Sequence, residues 1–96
     1  MIVKIESPIA TFAKWKAMVH SNSEKIKKYG MTFLYAGTEK ENDSKITTII
    51  RFDTMDGLKA FEADEGLHKE RAAAGVVLEK SVTTLMGEDL LEQYKG

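Results

Sequence analysis

The chain has 96 residues, enough for one domain with a single core and a modest stability margin unless a partner adds burial. Its 14 Lys+Arg and 15 Asp+Glu give a formal net charge of −1, mixed along the chain, which argues against a nucleic-acid or membrane-surface partner. The lack of cysteine excludes disulfides and thiolate chemistry, and Met1 to Glu6 shows no leader-like pattern, so a soluble, cytoplasmic protein is expected.

Val3 and Ile5 alternate with Lys4 and Glu6, the two-residue period of a half-buried strand. Ser7-Pro8 then reads as a helix cap with proline at the first helical position, placing the first helix start near Pro8. Ile9, Phe12, Trp15 and Val19, and later Ile26, recur at helical spacing and line one face. Ser21-Asn22-Ser23-Glu24 matches a capping box, which predicts a break and restart in that helix. Lys25, Lys27 and Lys28 before Gly30 suit its C-terminal end.

Thr32 to Thr38 and Lys45 to Asp53 are β-branched or aromatic runs separated by a charged turn, and predict a hairpin. Asp53 or Thr54 caps a second helix carrying Met55, Leu58 and Phe61. Asp64 marks a second break, Leu67, Arg71 and Ala74 continue a face, and Gly75 ends it. Val76 to Met86 reads as the last strand. Leu90, Leu91 and Tyr94 lie at helical spacing, so residues 88–96 read as a short tail helix that docks on the body or on the other subunit.

Phe12 and Trp15 shifted by 46 residues land on Leu58 and Phe61, and the order of cap, stripe, break and glycine repeats with them. Two similar halves predict an α+β fold of ferredoxin-like βαββαβ type over residues 1–87, a four-stranded antiparallel sheet backed by two broken helices. A sheet covered on one side should read polar on the other. Here Ile46, Thr48, Ile50 and Phe52 oppose Thr47 and Ile49; Phe33 and Tyr35 oppose Leu34 and Ala36; Val82 and Met86 oppose Leu85. With apolar residues on both faces, the expected assembly is a homodimer whose sheets pack face to face.

These patterns, with Phe61, Asp64 and Leu67 after the third strand and the Ala72-Ala73-Ala74-Gly75-Val76 run into the fourth, resemble the small members of the dimeric α+β barrel superfamily. That group includes antibiotic-biosynthesis and haem-degrading monooxygenases, and the resemblance spans Met1 to about Gly87. It implies an intersubunit barrel and, in enzymatic members, a pocket between each sheet and its own helices. Haem-degrading members use an asparagine on the first strand, a tryptophan on the second helix and a histidine later on that helix. Here the first strand offers Lys4 and Glu6, the second helix has Phe61 and no tryptophan, and His68 precedes the family position, where Glu70 and Arg71 stand. Neither haem nor another cofactor is expected.

The candidate site residues each have a structural reading beside the functional one. Trp15, Tyr35 and Phe61 are candidate walls for a small apolar ligand, although Trp15 also fits a packed helical stripe. His20 stands where a ring can cap free carbonyls or act as acid or base. His68, flanked by Lys69 and Glu70, is expected to face solvent. Arg51, between Ile50 and Phe52, needs a partner such as Glu79 or a bound anion. Tyr29 and Tyr35 have rings to pack and phenols that can donate protons. The two histidines have no companions at metal-ligand spacing, the glycines form no phosphate loop, and residues 45–52 lack the basic, glycine and aromatic series of an RNA-recognition strand. A dimeric protein binding a small apolar ligand or a partner is the expectation. The alternative is a cofactor-independent, monooxygenase-like enzyme with His20, Arg51 or His68 as its polar group.

Overall fold

A computed structural model describes residues 1–96, which run β1 (Ile2–Pro8), α1 (Phe12–Ser21), α2 (Ser23–Lys28), β2 (Met31–Glu39), β3 (Asn42–Phe52), α3 (Met55–Ala63), α4 (Glu65–Ala73), a 3-10 turn at Leu78–Lys80 and β4 (Val82–Met86). The strands form one antiparallel sheet in the order β2-β3-β1-β4, the ferredoxin-like arrangement. Four separate helices stand where two broken ones are expected, because each break is a full restart with its own first turn. No helix is long and apolar enough to cross a membrane.

Strand alternation decides what is buried. Val3, Ile5 and Ser7 on β1 pair with Ile50, Thr48 and Ile46 on β3, and all six are buried. With Phe52, Leu58, Phe61, Leu67 and Trp15 they fill the space between sheet and helices.

The first helix begins later than the Ser7-Pro8 signal predicts. Ser7 stays in β1, with its Oγ 2.6 Å from Ser81 Oγ, and Pro8 ends the strand, where its carbonyl accepts from Val77 N at 3.0 Å. Proline is tolerated there because the last strand residue has no ladder bond to donate. Thr11 is the cap, accepting from Lys14 N at 3.2 Å, while Asp43 on β3 accepts from Phe12 N at 3.0 Å.

The two breaks fall as expected but are built differently. At the first no capping box forms: Asn22 Nδ2 and Ser21 Oγ both donate backwards to Met18 O, at 2.9 and 2.8 Å. Free carbonyls at the end of α1 outcompete the amides of α2. At the second, Asp64 caps α4 through Leu67 N at 2.9 Å. The same carboxylate accepts from Tyr29 OH at 2.5 Å and pairs with Lys25 Nζ at 3.1 Å, tying the two halves together. Thr54, not Asp53, caps α3 through Gly57 N at 3.0 Å.

The last strand is shorter than residues 76–86, because Val76 turns into the core and the 3-10 turn intervenes before Val82. The tail after Gly87 is irregular, not helical: Glu88 meets the Met1 amino group at 3.0 Å and Glu92 pairs with Arg51 at 2.9 Å. Nine tail residues cannot nucleate a helix without packing, and Leu91 and Tyr94 remain exposed.

A bulge in β2 changes which face several residues take. Phe33 pairs with Ile50, yet Tyr35 pairs with Ile49, so Leu34 is the extra residue. The expected grouping of Phe33 with Tyr35 therefore fails: Tyr35 joins Ile49 on the open face, and Ala36, opposite Thr48, returns to the helix side. The open face is chemically divided. Glu6 lies 3.5 Å from Lys4 and 3.1 Å from Lys45 along the middle of the face, with Tyr35 and Ile49 as apolar surface on the β2–β3 side and Val82 and Met86 on the β4 edge.

Candidate functional site

The helices do not close completely over the sheet. A cavity remains among Ile5, Ile46, Thr48 and Ile50 from the strands, Trp15, Met18, Val19 and Ile26 from the first helix pair, and Phe61, Leu67 and Arg71 from the second. Phe33 closes one wall by meeting Trp15 edge-on, ring centres 6.2 Å apart. The cavity has a volume of about 50 Å³. Eleven of its 15 lining residues are hydrophobic, so it suits an apolar occupant.

The polar groups of this lining are nearly all satisfied internally. Asn22 donates to Met18 O, Ser7 is bonded to Ser81, and no buried side-chain nitrogen or oxygen lacks a partner. Arg71 is different. It projects from α4 one turn after Leu67, half-buried, with its guanidinium carbon 5.6 Å from the centre of the Phe61 ring. None of the ion pairs in the molecule includes it, and burial alone pushes its pKa below the usual arginine value. A cation removed from water without a carboxylate is costly to keep, which makes Arg71 the unbalanced charge of the site.

Arg71 also lines a second, more polar space of about 340 Å³, which shares Ile5 and Phe61 with the cavity and adds Glu62, Glu65, His68, Leu78, Ser81 and Thr83. The two spaces, one mostly apolar and one more polar, lie side by side with Arg71 in the lining of both. His68 is half-buried in the second rather than solvent-facing, against the edge of Phe61 with ring centres 6.4 Å apart. Its Nε2 lies 2.7 Å from the carbonyl oxygen of Glu62. A carbonyl can only accept, so Nε2 carries the hydrogen and Nδ1 the lone pair. Arg71 Nη1 is 3.5 Å from that Nδ1.

Of the residues singled out in the sequence, Trp15 and Phe61 line the cavity and His68 lines the second space. Tyr35 stands on the opposite side of the sheet, 51% exposed. His20 is exposed near the end of α1 and outside both spaces, and Arg51 takes Glu92, not Glu79, as its carboxylate partner on the open face. Tyr29 is committed to Asp64. No three histidine or carboxylate side chains gather as a metal would require. The site residue that sequence reasoning passed over is Arg71. Its signal was an arginine four positions after Leu67, on the apolar face of a helix.

No family model matches this sequence. No curated protein matches it either. Solved structures do share the fold. A variant of SnoaB, a cofactor-independent oxygenase from Streptomyces nogalater, superimposes with a TM-score of 0.68 at 12% identity, over 96% of each chain. A candidate antibiotic biosynthesis monooxygenase from Deinococcus radiodurans gives 0.63 at 13% identity, over 98% of this chain and 100% of that one. Protein Atu4242 from Agrobacterium tumefaciens gives 0.59 at 13% identity, over 91% and 92%. The likeness is one of fold, to a group of antibiotic-biosynthesis-monooxygenase-like structures.

Proposed function

We propose that the protein binds a small apolar ligand in the chamber between sheet and helices, and does so as a homodimer joined through the open face of the sheet. The chamber's apolar lining, walled by Trp15 and Phe61 and adjoining a more polar space, carries the first part of the reading. Trp15 is the single tryptophan, so its fluorescence reports the chamber directly. Titration with 4-nitrotoluene is expected to quench it saturably, and to fail to do so in a Leu67→Trp variant, read through the ligand's own absorption, that fills the space. Quenching that is merely linear with concentration would refute a site.

The dimer reading rests on Tyr35 at 51% exposure beside half-buried Ile49 on one side of the open face, and Val82 at 57% on the other, apolar surface that a second copy would cover. Gel filtration with light scattering at micromolar concentration is expected to give the mass of two chains. A mass of one chain throughout would refute it.

A second reading, oxygenation without a cofactor, is favoured by the unmatched charge of Arg71. Dioxygen can take an electron from an organic substrate directly only when that substrate is electron-rich, as an enolate or phenolate is, and a cation at the chamber's edge stabilises such an anion. Oxygen uptake in the presence of an electron-rich phenol tests it against the binding reading, which expects none.

A further inference from the structure

We infer that residues 88–96 are a strap that the chain lays across one end of its own open sheet face, and that a second copy seats there fully only when the strap withdraws. The inference rests on the face-to-face dimer and goes beyond it by giving that surface a competitor within the same chain. Strand order sets the path of the tail. The chain leaves the sheet at Met86 on the edge strand β4, yet Glu92 reaches Arg51 on β3 at 2.9 Å. β1 lies between those two strands, so the tail crosses its Ile2 end, where Glu88 meets the Met1 amino group at 3.0 Å.

Alternation fixes the side on which it crosses. Ile50 and Phe52 are buried toward the helices, so Arg51 between them projects from the open face and holds Glu92 there. Ile2 points the same way, between Arg51 and Met86, and is 4% exposed although it belongs to neither cluster of the core. Leu90, between the two anchoring carboxylates, is 41% exposed against 79% for Leu91 and 75% for Tyr94, so it is the tail side chain turned most toward the sheet.

Sheets packed face to face stand about 10 Å apart, a gap that their own side chains fill, and no third layer of chain fits between them. The strap and a second copy therefore exclude each other at this end of the face. The hold is light, because both anchoring carboxylates are largely exposed and such pairs are weak. The strap closes without locking.

The test keeps the full chain and follows dimer dissociation by sedimentation over a dilution series. Glu92→Lys turns the attraction to Arg51 into repulsion and is expected to tighten the dimer about tenfold, because both copies must open. Asp89→Lys makes the same change of charge at an exposed tail position that takes part in no ion pair, and is expected to leave the constant unchanged. Added salt, which screens the anchors, should bring wild type toward Glu92→Lys. A chain ended at Gly87 should pair as tightly as that variant. If Glu92→Lys pairs no more tightly than wild type, or if Asp89→Lys tightens the dimer equally, the inference is overturned and the dimer reading stands. A weaker dimer in the shortened chain also overturns it, by making the tail a bridge to the partner. Single chains in every form at every concentration overturn both.

Discussion

The break at Asn22 and the break at Asp64 occupy equivalent places in the two halves, yet they have opposite characters. Asn22 turns its side-chain amide back onto Met18 O, within the first helix pair. Asp64 collects Leu67 N, Tyr29 OH and Lys25 Nζ, and so binds the second half to the first. The same contrast runs through the site. The first helix pair contributes hydrocarbon and an aromatic wall, from Trp15 to Ile26, while the second contributes Phe61, His68 and Arg71. A repeated plan thus yields one half whose helices line the cavity mostly with hydrocarbon and one that also places Arg71 in its lining and His68 in the adjoining space.

The sharpest way to break that comparison is to truncate the aromatic in each half. Phe61→Ala removes a side chain that touches Phe52, His68 and Arg71, and is expected to cost about 3–5 kcal/mol in denaturant unfolding. Trp15→Ala should cost about 3 kcal/mol by losing Phe12 and Phe33. Their ligand effects should differ. Trp15→Ala weakens 4-nitrotoluene and phenolate binding alike, whereas Phe61→Ala also erases the preference for phenolate that Arg71 confers. Equal loss of preference in both variants would show that the halves share the polar role.

Acid distinguishes the two breaks next. The Tyr29 hydroxyl first, then Leu67 N–H and Lys25, hold the Asp64 carboxyl well below its ordinary 3.8. A group with a depressed folded pKa contributes stability that is complete above its unfolded value and disappears as pH falls from there toward the folded one. The melting temperature should therefore decline below about pH 4, and Asp64→Asn should flatten that decline. Glu6, lowered by Lys45 on the open face, keeps some slope in the variant. Asn22→Ala should leave the slope untouched and cost about 1 kcal/mol at neutral pH, the worth of a buried hydrogen bond. A changed acid slope in Asn22→Ala would mean that the first break, too, is coupled to the second half.

Periodicity and punctuation made most of the fold legible in advance. Gly30 and Gly75 adopt φ of 64° and 95°, the left-handed conformation that a helix-ending glycine permits. What escaped has physical causes. Ser7-Pro8 carries two true preferences at once, and the long-range pairing of β1 with β3 prevails over the local cap. The bulge at Leu34 has no local mark, since Phe33, Leu34 and Tyr35 all suit a strand, and it is enough to send Tyr35 to the other face. Trp15 and Phe61 could be read as pocket walls because an apolar helical stripe shows in the sequence. Arg71 could not be read as unmatched, because the lack of a carboxylate around it depends on every element packed nearby. His68 owes its tautomer to the Glu62 carbonyl, a backbone group that no side-chain pattern reveals.

The smallest effect is expected at the tail, and it tests whether the open face is as loosely covered as its ion pairs suggest. Residues 88–96 meet the body through Glu88 at the amino terminus and Glu92 at Arg51, both carboxylates largely exposed. Such pairs contribute little against solvent screening and side-chain entropy, so ending the chain at Gly87 should cost about 1 kcal/mol or less. Ile2 makes the measurement informative. It lies between Arg51 and Met86 on the open face, yet is only 4% exposed. If the tail covers it, truncation uncovers a whole isoleucine and the cost rises toward about 2 kcal/mol or more. That larger value, with unfolding slopes showing less surface newly exposed on denaturation, would make the tail part of the sheet's cover and shrink the area left for a second copy.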